Sequence, residues 1–256
     1  MRHIEIAESD IARWEEADAL VMSLLIDGQD PSVSRELSAF ERLSLVAEDG
    51  VSIALTRIAR ERYSEALGWL RSAVRAQCER FCVGRQQQAG GLSAGMWQHL
   101  LLAHASTDQT LVDRFNDLFD LELAARPEAR STEDSMYHAR LLKALTSRRI
   151  DDALSILGEP WPSVEPMFRG YIDCMQAIAR RDETAFQYAL SDASAAWERY
   201  ARRHWKGLPD AVCFLNGVGL VRLAEHVWER PIKVDDPNIP LGLLGTVKPA
   251  TIDLGL

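Results

Sequence analysis

The stretch from Arg230 to Leu244 places the tightest limit on what this chain folds into. Pro237 and Pro240 each lack a backbone donor and push the residue before them out of the α region, so the preceding helical pattern cannot run through them. The same stretch carries Ile232, Val234, Ile239, Leu243 and Leu244. A non-helical strip this apolar has to lie against something, and the flank of a helical body is the surface at hand. The expectation is one helical domain over residues 1–256 with an extended tail, residues 230–256, packed upon it.

Size and composition agree with a single body. The chain has 256 residues, 47% hydrophobic and 26% charged, which is ordinary for a globular protein and near the upper length for one hydrophobic core. Its longest apolar run, Ala19 to Ile26, is interrupted by Ser23 and falls far short of the roughly 20 residues that span a bilayer. Glu5, Glu8 and Asp10 stand where a basic, then apolar, export signal would begin. The expectations are no membrane segment and a cytoplasmic location.

Helical period dominates the rest. Ile11, Trp14, Ala17, Val21, Leu24 and Leu25 share one arc, with Glu8, Glu15 and Glu16 opposite. Asp30 followed by Pro31 has the form of a helix cap with proline at the first helical position. Residues 51–85 read as a long helix interrupted near Tyr63 and Ser64. Ser93 caps a helix through about His104, and further helices are expected over 109–125, 132–147, 150–157, 164–180, 183–204 and 209–228. The loop at 158–166, with Pro160, Trp161, Pro162 and Pro166, is the one internal boundary, a sharp turn within one body. In the second half, Ala144, Leu145, Ala153 and Leu154 are echoed by Ala177, Ile178, Ala185 and Phe186. That spacing lies close to the 34-residue tetratricopeptide period. The fold class is therefore all-α, built of helical hairpins that are tetratricopeptide-like in the second half.

Chemistry-bearing patterns are sparse. Gly91, Leu92, Ser93, Ala94 and Gly95 spell a nucleophile-elbow motif, but no strand precedes it, so Ser93 is assigned to a helix cap. His99 and His104 lie about 140° apart around a helix, so they cannot clamp one metal, and His99 is expected to point away from the apolar face. His138, among Tyr137, Leu141, Leu142 and Leu145, reads as a satisfied core histidine. Cys78 and Cys82 share a buried stripe with Val74 and Phe81, and no further ligands lie near enough to make a metal site. Cys174 and Cys213 stand alone. No catalytic residue, metal site or cofactor is expected.

Charge gives the functional expectation. The net charge is −9, with 12 acidic and 4 basic residues through Gly50, and 8 acidic against 3 basic from Asp108 to Asp134. Residues 57–85 reverse the sign, with 7 arginines and 3 glutamates. A balance this acidic disfavours nucleic acid and favours a basic protein partner. Asp113, Asn116, Asp117 and Asp120 form a row at i, i+3, i+4 and i+7, opposite Val112, Phe115, Leu118 and Phe119. Carboxylates a turn apart, roughly 5–6 Å, repel one another by a few tenths of a kcal/mol, which a basic partner offsets. Glu15, Glu16, Asp113, Asp117 and Asp120 are the candidate contacts, with Trp161 and Trp205 near loops as candidate anchors. The oligomeric state stays open.

The run Gly217, Val218, Gly219, Leu220, Val221, Arg222, Leu223, continued by Val234, Asp235, Asp236, Pro237, Asn238, Ile239, Pro240, Leu241, Gly242, Leu243 and Leu244, resembles the C-terminus of the immunity protein 49 family of bacterial polymorphic toxin systems. The likeness covers about the last fifth of the chain and stops short of residues 245–256. It implies a mostly helical cytoplasmic protein, without catalysis, whose partner is a cognate toxin encoded beside it. The alternative is a helical scaffold or regulator that binds a peptide in a concave groove.

Overall fold

The computed structural model describes residues 4–27, 29–30, 35–36, 38–86, 93–164 and 166–252. The fold is all-α. Twelve α-helices occur among these residues: α1 Glu8–Asp27, α2 Ala39–Ala59, α3 Tyr63–Gln86, α4 Trp97–Ala105, α5 Gln109–Leu118, α6 Leu121–Ala124, α7 Glu133–Thr146, α8 Ile150–Leu157, α9 Pro166–Ala179, α10 Glu183–His204, α11 Leu215–Trp228 and α12 Leu241–Leu244.

Sequence explains most boundaries. Ser38 opens α2 with a reciprocal capping box: its hydroxyl accepts from Glu41 N, while the Glu41 carboxylate accepts from Ser38 N at 2.9 Å. Asp108 and Asp182 cap α5 and α10 from one side only, their carboxylates accepting from Leu111 N and Ala185 N. Asp30 does not cap a helix. It pairs with Arg35 in a two-residue antiparallel ladder, Gln29 with Glu36 beside it, and the cap falls to Ser38. Pro31 lies outside the described residues. The helix expected from Val51 starts twelve residues earlier, at Ala39, and breaks at Arg60 to Arg62, close to where it was expected to.

Three helix junctions use one device. Glu61, Arg148 and Arg181 adopt left-handed backbone (φ 55°, 54° and 54°), and the next residue's N–H reaches back to the carbonyl of Arg57, Ala144 and Ala177 respectively. This is the Schellman arrangement, made here without glycine. It turns the chain so that α2 packs on α3, α7 on α8 and α9 on α10. The Ala144 and Ala177 echo seen in the sequence marks two of these junctions. Between α9 and α10 the approach is closest at Gly170, where a β-carbon would lie 2.8 Å from Ala193 Cβ and 2.9 Å from its Cα.

The pattern over 109–125 divides into α5 and α6. Phe119 leaves helical geometry at ψ 90° and is fully buried. Lys143 Nζ, reaching across from α7, donates to the carbonyls of Asn116 and Phe119, at 2.6 Å for the latter, and so satisfies backbone acceptors that the end of α5 exposes. Likewise the pattern at 209–228 is a short 3-10 turn, Pro209–Ala211, then α11.

The core is one cluster running from Leu25 to Leu243. Its centre is aromatic: Phe214 stacks between Tyr171 and Trp197, with centroids 5.7 and 5.8 Å away, and Trp97 stacks on His138 at 4.6 Å.

The tail lies on this core as expected, with one helical turn, α12, inside it. Ile232, Val234, Ile239 and Leu243 are buried, worth about 2 kcal/mol each. Polar contacts fix its path. Ile232 N donates to Glu225, Phe214 N to the Asn238 carbonyl (2.8 Å), and Arg222 to the Leu243 carbonyl (3.0 Å). Asp236 accepts from Ser194 Oγ and from Asn238 N, and the Asn238 amide donates back to Ser194. Beyond α12 the chain reaches α3, where Ala250 N donates to the Ser64 carbonyl and Ser64 Oγ to the Lys248 carbonyl.

Candidate functional site

The acidic row does not survive as one surface. α5 ends at Leu118, so Asp120 leaves the Asp113 face; its Oδ1 instead accepts from Glu122 N and Leu123 N as the cap of α6. Asp113 stays exposed and accepts from the Gln109 amide (2.7 Å), and Asp117 is exposed on the same helix. Asn116 donates to Ser147. On α1, Glu16 is exposed, but Glu15 is engaged within the molecule: both its oxygens accept from the Arg60 guanidinium, at 3.2 and 2.7 Å. That pairing lowers the Glu15 carboxyl from its ordinary range. Glu8 binds the same guanidinium at 2.6 Å. Of the five acidic candidates, then, Glu16, Asp113 and Asp117 present open carboxylates.

The tryptophan candidates are not projecting anchors. Trp161 is half-buried under the Arg169 guanidinium, 3.7 Å from the ring centroid, and its indole N–H reaches the Leu157 carbonyl. Trp205 is half-buried, set edge-on to Tyr200 with centroids 5.0 Å apart.

Ser93 accepts from Gly95 N and caps the 3-10 turn Ala94–Met96, the assigned role; residues 91 and 92 of the motif lie outside the described residues. Cys78, Cys174 and Cys213 are buried free thiols, each raised by burial, and Cys82 is half-buried. His138 is buried with carbonyls at both ring nitrogens, Asp134 at 2.7 Å and Phe168 at 3.2 Å. His99 contradicts expectation. It faces inward, its Nδ1 buried without a partner, and desolvation lowers it to about 4. Among the described residues no three His, Cys, Asp or Glu side chains are placed to hold a metal, and no helix is long and apolar enough to cross a membrane.

Two cavities bring functional side chains together. The larger, about 520 Å3, lies between α3, the end of α4, α5, α11 and the residues following α12. His226 and His104 meet there with ring centroids 5.7 Å apart. His226 Nε2 donates to the Thr146 carbonyl (2.9 Å), which leaves Nδ1 as the free lone pair. Burial holds His104 neutral, lowered to about 3, and lowers His226 as well. The arginines beside them are already occupied. Arg71 donates to the carbonyls of Ser106 and Thr107 and faces Asp108, while Arg222 donates to Glu225 and the Leu243 carbonyl. This cavity is a polar seam that holds the tail.

The second cavity, about 250 Å3, is aromatic. Phe168 and Tyr171 of α9, Trp197 and Tyr200 of α10, Trp205 and Phe214 line it, with Leu55 and Leu102 from α2 and α4. Asp210, on the 3-10 turn, supplies the one carboxylate among these lining residues. Asp210 is exposed on its outer side, yet the protein crowding its carboxyl pushes it up from the ordinary aspartate range. The sequence did carry a sign of this site, in aromatic pairs at i, i+3 on two successive helices: Phe168 and Tyr171, then Trp197 and Tyr200. Asp210 carried none.

No protein-family model, no characterised protein and no solved structure matches this chain.

Proposed function

We propose that this chain is an immunity protein that binds and neutralises a cognate toxin in the cytoplasm of the producing cell, by covering it and without catalysis. The observation that supports the reading is where the family-like residues fall. Gly217 sits against the Phe214 ring, and Gly219 sits so close to the Leu101 carbonyl that a β-carbon would collide with it. Arg222, Asp236, Asn238 and Leu243 are the residues that fasten the tail. Gly242 is seated on Tyr63 in the same way. The resemblance therefore falls on α11 and the strap laid along it, and most of the matched positions are buried or fasten the two together, while Asp235, Pro237 and Leu241 are exposed.

Such a complex needs about 1,200–2,000 Å2 of buried surface. The open carboxylates of Glu16, Asp113 and Asp117 are suited to a basic toxin surface. The test is co-expression with the product of the neighbouring toxin gene. Growth rescue together with co-purification supports the reading, and rescue without a complex points to an enzymatic antidote. Reversing charge at Glu16, Asp113 and Asp117 is expected to weaken the complex and to slow its association. Unchanged affinity removes these residues from the interface.

The runner-up is a scaffold that binds a peptide. It draws on the repeated junctions at Arg148 and Arg181, which set two successive helix pairs at a near-tetratricopeptide spacing. A complex with an extended peptide, in place of a folded toxin domain, would favour it.

A further inference from the structure

The aromatic cavity has a composition that core packing alone does not require. Its wall is built of rings already locked against one another: Phe168 edge-on to Tyr171 (5.9 Å), Tyr171 stacked on Phe214 (5.7 Å) and Phe214 stacked on Trp197 (5.8 Å). Tyr200 and Trp205 set a second corner, edge-on at 5.0 Å. Such a wall is rigid before any ligand arrives, so little ordering entropy is lost on binding. The ring faces are electron-rich, and a cation seated within about 6 Å of them is attracted by the ring quadrupole.

The Asp210 carboxylate has a hydrogen bond from its own backbone N–H but no cationic partner among the described residues. None of the described residues lining the cavity is a lysine or arginine. Asp18, Glu15 and Glu159, by contrast, are each paired with an arginine. A partly desolvated carboxylate on a cavity whose other walls are aromatic disfavours an anion and gains little from a neutral guest.

We propose that this cavity is a binding site for an organic cation, a guanidinium or alkylammonium group seated against the half-buried rings of Phe168, Tyr200 and Trp205 with its charge against Asp210. A compact cation of this kind fits about 250 Å3; the lower end of drug-sized pockets is about 300 Å3. The cation comes either as a free small molecule or as the side chain of a bound protein, and the chemistry of recognition is the same. This assignment is independent of the immunity reading, because a scaffold would use the same pocket.

The test is titration of the full chain followed by the indole N–H resonances of Trp197 and Trp205, assigned with W197F and W205F. The probes are tetramethylammonium, N-acetyl-arginine methylamide and, as the uncharged shape match, N-acetyl-citrulline methylamide. Saturable shifts are expected with a cation and none with the citrulline derivative. Asp210→Asn is expected to weaken cation binding about tenfold or more, roughly the loss of one charge-assisted contact, while the denaturation midpoint stays in place. Trp205→Ala is expected to weaken it similarly. An arginine-containing tripeptide that binds more tightly than the single residue identifies a protein side chain as the source; the reverse order identifies a free small molecule. Equal shifts from the citrulline derivative, no saturation by any cation, or unchanged affinity in D210N would overturn the assignment.

Discussion

Replacing His104 with glutamine should remove a specific part of the acid sensitivity of this protein. His104 is 3% exposed and lies against His226, its Nε2 3.1 Å from Thr146 Oγ1. Burial lowers its folded value to about 3 from the ordinary 6.5. In the unfolded chain the ring takes a proton below pH 6.5, whereas the folded protein refuses it until about pH 3. Falling pH therefore favours unfolding across that window, and stability from this group is complete only above it. Integrating the two titrations gives a loss of about 2 kcal/mol between pH 7.5 and pH 5 from His104 alone. His99, lowered to about 4, acts in the same direction. Asp18 and Asp49 act oppositely: burial raises them, so the folded protein takes their protons first and gains stability as pH falls. The total curve mixes these effects, so the difference between wild type and variant is the quantity to measure. Urea unfolding at pH 7.5, 6.5, 5.5 and 5.0 should show His104→Gln destabilised at pH 7.5 by its altered packing. That deficit should shrink by about 2 kcal/mol at pH 5. A deficit constant across the series would refute the reasoning.

Glycine 170 provides a test of opposite sign to helix propensity. Alanine in a helix interior normally gains about 1 kcal/mol over glycine, but a β-carbon 2.8–2.9 Å from Ala193 forces α9 and α10 apart. G170A is expected to destabilise by about 1–2 kcal/mol in chemical denaturation, and a gain would show that the helices separate freely. Glu61→Gly places glycine at φ 55° in an exposed turn, and should stabilise by about 0.5–1 kcal/mol. Ile239→Ala removes a side chain only 2% exposed; a loss of about 2–4 kcal/mol is expected, with earlier proteolytic cleavage after residue 230 than in wild type. Cleavage at the wild-type rate would mean that the strap holds without it.

How far the sequence foretold this structure depends on where each cause lies. The helices 133–146, 150–157 and 183–204 were legible to within a residue, because their apolar period and flanking turns are local. The strap was legible because prolines forbid a helix and its apolar residues forbid exposure. The end of α5 was not, since the stripe Val112, Phe115, Leu118 and Phe119 continues without a break and its terminator, Lys143, lies on another helix. Glu15 looked like a free surface charge for the same reason, its partner Arg60 being on a neighbouring element. At Asp30 a strong local cap signal lost to strand pairing with Arg35. The aromatic cavity draws on residues from Val51 to Asn216, so no sequence window held it, although its two i, i+3 aromatic pairs were in plain view.

The seating of the strap on α3 has a kinetic consequence. Ser64 and Lys248 are 184 residues apart, and contacts of that separation form only after the intervening chain has collapsed, since the loop-closure entropy precedes any reward. On the ribosome, the face of α3 at Ser64 and Gly68, against which Ala250 and Ile252 lie, must therefore stay uncovered until residues 248–252 have emerged. A probe of that contact would time the seating of the strap on α3 separately from the collapse of the helices beneath it.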